Sequence, residues 1–435
     1  MLYVSTRDKQ HLNPVNLATA VIKGLADDGG LYMPIHINTL GNDVLQKLPF
    51  LELPEIAGVL LNHLLAGAVS ASTLQAISSE VFDFPIPLEA IGENIYSLEL
   101  FHGPTLAFKD VGARFMSRLM KSFEYDDAAE LKVAVATSGD TGSAVAAGFH
   151  AVKGVKVYVL FPKGKVSKMQ QKQLTTWGDN IIAVEVDGTF DDCQRHVKML
   201  LSDPDLKTQA LLTSANSINI ARLLPQAVYY AYAWSRLTNK NNPLVISVPS
   251  GNFGNLTAGL IAHKAGIPIH HFIASTNVND SVPNYLDTGV FKSKPSLPTI
   301  SNAMDVGNPS NFERMLHLFD DKQEQMRELI TGYSFTDAET MAAISNLYET
   351  TGYIADPHGA VGYLGLKKFI QEKSFTGNGL FLETAHPAKF GETVEKCILN
   401  AIPYPERLAA FDVKDEKFIA CPNAYDVIKM IVLER

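Results

Sequence analysis

Cysteine is scarce in this chain: Cys193, Cys397 and Cys421 are the three in 435 residues, odd in number and far apart. That excludes a disulfide scaffold and any zinc site of the CxxC kind, so no metal is expected. An apolar run long enough to span a bilayer is also missing. The most apolar stretch, Val59 to Val69, is broken by Asn62 and His63, and no basic-then-apolar leader follows Met1. Positive charge is in deficit, with 37 Lys and Arg against 46 Asp and Glu for a net charge of −9. Nucleic acid is therefore not an expected partner, because phosphate contacts need clustered cations. A soluble cytoplasmic protein, bound to neither membrane nor nucleic acid, is expected. What the chain does have is the balance of a packed globule, 46% hydrophobic and 19% charged. Its length suits two or three domains.

The first 94 residues show helical periodicity (Leu17, Val21, Ile22 and Leu25; then Leu60, Leu61, Leu64 and Leu65) and close on Pro85-Ile86-Pro87. They read as a mainly helical N-terminal domain. From residue 95 the pattern becomes strand, polar loop, helix, and it repeats. Strands are expected at Lys132–Ala136, Val155–Leu160, Ile181–Val186, Leu244–Val248, His271–Ser275 and Leu380–Glu383, with helices at Ser143–Val152, Phe190–Leu201 and Leu256–Lys264. This alternation predicts an α/β fold of parallel twisted sheets flanked by helices, with ligands at the C-terminal ends of the strands. We divide it at residues 95–240 and 241–435. The final 30 residues are expected to pack on the surface.

Four motifs fall at such strand ends or helix starts. In HGPTLAFKD, His102 to Asp110, a Gly-Pro turn precedes a helix with Phe108, Val111, Phe115 and Leu119 on one face, so Lys109 lies in its first turn. A cation opposes the helix dipole there, and an apolar wall adds to the penalty, which favours the neutral amine that a Schiff-base lysine needs. The plainer alternative is a solvated surface lysine. PSGNFGN, Pro249 to Asn255, can converge backbone N–H groups on one anion at a helix N-terminus, or can simply be a tight turn. It is neither a Walker A loop nor a dinucleotide fingerprint. ATSGDTGSA, Ala136 to Ala144, adds the hydroxyls of Thr137, Ser138 and Thr141, suited to a carboxylate or phosphate. Its Asp140 reads equally as a ligand acceptor or a helix cap. In ETAHPAKF, Glu383 to Phe390, Thr384 could face a heteroaromatic nitrogen or merely start a helix. SANSINIAR adds Arg222, an anion clamp or a helix-surface arginine. Two anion-binding loops suggest a ligand pair, one member being a phosphorylated cofactor.

HGPTLAFKD, TSGDTG, SANSIN, SVPSGNFGNLTAG, SNAMDV and TAHPAKF, in this order and spacing, resemble the threonine synthases of the long bacterial and fungal type. These belong with the fold type II pyridoxal-phosphate enzymes related to the tryptophan synthase β chain. The resemblance implies that Lys109 carries pyridoxal 5′-phosphate as a Schiff base, and that Gly251, Asn252, Phe253, Gly254 and Asn255 hold the cofactor phosphate. It further implies that Thr384 faces the pyridine nitrogen. Asp140 stands where shorter relatives carry an asparagine that touches the ring hydroxyl. The implied reaction is a carbon–oxygen lyase step converting O-phospho-L-homoserine and water to L-threonine and phosphate. Thr137, Ser138 and Thr141 would bind the substrate carboxylate through the loop that also holds Gly139 and Asp140. Arg222, Lys165 and Lys389 are candidates for the substrate phosphate. Two other readings stay open: another lyase of this fold type, such as a serine or threonine dehydratase, and a non-catalytic sensor of phosphorylated metabolites. A monomer or a homodimer is expected.

Overall fold

The computed structural model describes residues 1–123 and 130–434. Its strands begin with β1 (Tyr3–Ser5), β2 (Tyr32–Pro34), β3 (Leu88–Gly92) and β4 (Ile95–Glu99). They continue with β5 (Leu131–Ala136), β6 (Val155–Pro162), β7 (Ile181–Asp187) and β8 (Leu211–Ser214). Then come β9 (Leu244–Pro249), β10 (His271–Thr276), β11 (Ile330–Ser334), β12 (Asn378–Glu383) and β13 (Ile419–Pro422). β1 and β2 pair alone. The larger sheets run β11-β10-β9-β12-β4-β3 and β13-β7-β6-β5-β8. Within these two sheets every pair is parallel except β3 with β4. Helices flank both. β5, β9 and β12 read LKVAVA, LVISVP and NGLFLE, and every residue in them is buried. Such runs are what a sheet covered on both faces requires.

The sheets do not follow the chain divisions strictly. The boundary between residues 94 and 95 falls inside the hairpin of β3 and β4, and both strands extend the sheet of β9 to β12. β13, from the last segment, pairs with β7 in the other sheet. Its neighbour, the helix Tyr425–Glu434, receives Lys132 from β5 at its C-terminal carbonyls, where a cation is favoured. The N-terminal helix Leu53–Leu65 has a capping box between Glu52 and Glu55 and buries Leu53, Ile56, Leu60, Leu61 and Leu64 along one face.

Two helices start earlier than the apolar periodicity indicated. One spans Asp140–Phe149 and the other Gly254–Lys264, so each motif loop supplies the first turn of its helix. That places unpaired helix N–H groups at the ends of β5 and β9, where a ligand would sit.

Candidate active site

Lys109 opens the helix Lys109–Lys121, and its position is fixed from several sides. The hydroxyl and N–H of Thr105 donate to Asp110 at 2.6 and 2.9 Å. Phe108 N–H donates to the Thr384 carbonyl at 2.9 Å, and His386 N–H to that of Leu106 at 3.1 Å. The Tyr229 hydroxyl donates to the Phe108 carbonyl at 2.6 Å. The lysine segment and the loop after β12 are thus stitched together. Lys109 itself lies in the wall of a cavity of about 920 Å³, counting its open mouth, within the range of small-molecule sites. Burial pushes its amine below the ordinary range, and Lys389 and Arg222 add to this while Asp140 opposes it. A largely desolvated cation without a directly bonded partner is costly, which shifts the amine toward its neutral form.

The loop after β9 lines the same cavity. Phe253 takes φ 59°, a left-handed conformation, immediately before the helix Gly254–Lys264. Asn252 is turned to the loop's own support: it donates to Ser217 Oγ at 2.7 Å and accepts from Ser310 N–H at 2.6 Å. Asn311 donates to its carbonyl at 3.1 Å. At Gly251 a Cβ would lie 2.6 Å from Met304 Cα, so the turn Asn302–Met304 packs directly on this backbone and only glycine fits. Tyr230 donates to Asn255 Oδ1 at 2.8 Å, which aims the amide nitrogen elsewhere.

That nitrogen has no partner, and neither do Arg222 Nε and Gln226 Oε1; all three are buried, and their residues line the cavity. Buried polar atoms left unpaired cost about 1–3 kcal/mol each, so the wall is built for a polar ligand. The Asn255 amide nitrogen, a donor, with the N–H groups of the helix N-terminus that begins at Gly254, fits a phosphorylated group. The Lys109 amine, pushed toward neutrality, and the Thr384 hydroxyl in the same wall fit an aldehyde-bearing heteroaromatic ring.

Comparison with known proteins agrees. The family model described as Pyridoxal-phosphate dependent enzyme matches residues 74–381. Models described as Threonine synthase N terminus and Threonine synthase, C-terminal match residues 2–82 and 359–432. Threonine synthase of Haemophilus influenzae is 45% identical over 395 residues, 91% of each chain. The chain belongs to the threonine synthase family. Among solved structures, threonine synthase from Escherichia coli superposes with a TM-score of 0.92 at 38% identity, covering 100% of both chains. A structure described as PLP-bound threonine synthase from Brucella melitensis gives 0.92 at 32% identity, covering 100% of this chain and 99% of that one. The tryptophan-synthase-like α/β architecture is therefore the fold of this chain.

Within this threonine synthase family fold, Lys109, Ser138, Thr141, Arg222, Gly251 to Asn255 and Thr384 line one cavity. Thr137 does not. Its hydroxyl is spent on its own loop, accepting from Gly139 and Gly142 N–H at 2.9 and 2.8 Å. Gly139 turns there with φ 137° and packs against Gln170. Asp140 is buried in an ion pair with Lys389 at 2.6 Å and accepts from Gln170 at 3.1 Å. Burial alone would raise its carboxyl, but the charge and hydrogen bond of Lys389, with the hydrogen bond from Gln170, hold it below the ordinary range. Lys389 also donates to the Thr105 carbonyl at 3.0 Å and borders an adjoining groove. Lys165 is exposed and borders neither.

The cavity also contains residues to which the sequence assigned no role: Asn216 and Ser217 of SANSIN, Asn302 to Val306 of SNAMDV, and, outside every quoted motif, Gln226 and His358. A signal existed for the last. In Asp356-Pro357-His358-Gly359, Asp is a helix cap and Pro a first helical residue, and the helix Pro357–Lys373 does start there. Among the described residues no helix is long and apolar enough to cross a membrane.

Proposed function

We propose that the chain is a threonine synthase in activity as well as family, converting O-phospho-L-homoserine and water to L-threonine and phosphate with pyridoxal 5′-phosphate as cofactor. The observation that carries this reading is the pair in one cavity: a lysine amine pushed toward neutrality and a phosphate-type cradle at Gly251–Asn255. Pyridoxal 5′-phosphate bound there supplies an electrophilic aldehyde and an electron sink for charge developed on the bound amino acid.

The chain's own residues supply the rest. The Lys109 amine would be the nucleophile toward the cofactor's aldehyde and the group that takes and returns protons at the substrate carbons. Gly251, Phe253, Gly254 and Asn255 would hold the cofactor phosphate, with Asn252 fixing their loop. The Thr384 hydroxyl would meet the ring nitrogen without donating a full charge. Ser138 and Thr141, at the N-terminus of the helix Asp140–Phe149, would bind the substrate carboxylate. Arg222, in the cavity wall, would provide a cation for the substrate's second anion. Thr137, Gly139 and Asp140 contribute by shaping this loop.

The assembly we propose is a monomer or homodimer in the cytoplasm. Incubating the protein with O-phospho-L-homoserine should release phosphate and threonine in equal amounts. Release of ammonia instead would favour a dehydratase. Lys109→Ala should keep the fold but lose turnover and the visible absorbance of the lysine-bound cofactor; threonine formation by that variant would overturn the assignment.

A further inference from the structure

His358 lies in the cavity wall with no task in the chemistry above, yet it is held in place by an unusual set of buried acids. Asp356, His358 and Glu383 are all buried. Asp356 caps the helix Pro357–Lys373, accepting from Gly359 N–H at 2.8 Å. Its other carboxylate oxygen bonds His358 Nδ1, and its N–H bonds Glu383 Oε1. Burial first, and the neighbouring Asp356 charge second, push the Glu383 carboxyl well above the ordinary range, toward its protonated form. Gly359 is required because a Cβ there would fall 1.4 Å from Glu383 Oε2. With Nδ1 engaged by Asp356, the imidazole presents Nε2 as an acceptor, and Ala303 N–H donates to it at 3.2 Å. Phe390 closes one side at 4.9 Å between ring centroids.

Ala303 belongs to the turn Asn302–Met304, which packs on Gly251. That turn also carries Asn302, whose buried Oδ1 is unpartnered and which borders both the cavity and the adjoining groove. A chain of contacts therefore runs from the end of β12, through Asp356 and His358, to the backbone that lines the cavity with Lys109. We propose that His358, aligned by Asp356 and Glu383, is a positioning residue that sets the Asn302–Met304 turn, and through it the Gly251 backbone that grips the cofactor phosphate. This rests on the functional reading above, since it assigns the phosphate to that loop.

The two ends of the imidazole can be tested apart. His358→Asn keeps a group that can donate to Asp356 but cannot reach Ala303. His358→Gln reaches the Nε2 position and restores an acceptor. In the holoenzyme, His358→Asn should weaken cofactor retention about tenfold, the size of one lost hydrogen bond to a buried N–H, and should quicken amide exchange across residues 301–306. His358→Gln should regain most of both, and Glu383→Gln should retain both. Cofactor affinity unchanged in His358→Asn would overturn the proposal even if its melting temperature fell, because packing alone would then explain the residue. Equal defects in the Asn and Gln variants would overturn it as well. If the wild type released no phosphate from O-phospho-L-homoserine, the functional reading would fall, while the order of cofactor affinities would still judge His358.

Discussion

Two buried carboxylate sites flank the cavity, and they resolve the same electrostatic problem in opposite ways. Asp140, after β5, meets a cation: Lys389 reaches it at 2.6 Å and both are buried. It stays ionised. Glu383, at the end of β12, meets another acid, Asp356, and is pushed toward its protonated form. Burial opposes ionisation at both, so the difference comes from the partner. The first site joins loops from the two large sheets by charge. The second joins β12, the helix Pro357–Lys373 and the turn Asn302–Met304 by hydrogen bonds through Asp356 and His358.

Breaking the charged site should have the largest effect. Lys389→Met leaves Asp140 buried without its cation and should cost about 3–5 kcal/mol of stability by denaturant unfolding. Adding Asp140→Leu should recover much of it. The sign with pH follows from the depressed carboxyl: its stabilisation is present above the ordinary value near 3.8 and is lost as pH falls through the lower folded value. A single variant as stable as wild type would show that the ion pair is not what holds these loops together.

Crowding the neutral site comes next. Gly359→Ala drives a methyl group into Glu383 Oε2 and should cost about 1–3 kcal/mol, the usual range for overpacking. A thermal midpoint matching wild type would mean that Glu383 moves freely, against its assigned place.

A pH dependence sharpens the contrast most. An unfolded glutamate ionises near 4.5, whereas native Glu383 holds its proton to higher pH. The native state then binds more protons, and stability falls as pH rises above 4.5 toward the folded value, by up to about 1.4 kcal/mol per pH unit. Glu383→Gln should flatten that slope and be the more stable protein at neutral pH. Parallel stability curves for the two proteins would place an ionised carboxylate at this position.

Legibility in the sequence tracked how local each feature was. β5, β9 and β12 were readable because both faces are buried and every residue is constrained. β8 and β13 were not, being four residues each and partly exposed, and Gly332 interrupts β11 where the strand passes Pro283. Lys109, Gly251 to Asn255 and Thr384 could be singled out because each stands at a strand end or helix start with little freedom of placement. Thr137 and Asp140 sit in an equally conspicuous loop, but their side chains satisfy partners inside the fold.

The order of strands, loops and helices, and the residue types offered at each strand end, were thus determined along the chain itself, since backbone periodicity and turn chemistry act over a few residues. Which of those side chains reach the cavity was decided only in three dimensions. Lys389 finds Asp140, and Ala303 finds His358, across long sequence separations. Protonation states depend on such neighbours, because a buried charge is stable only beside what folding brings to it.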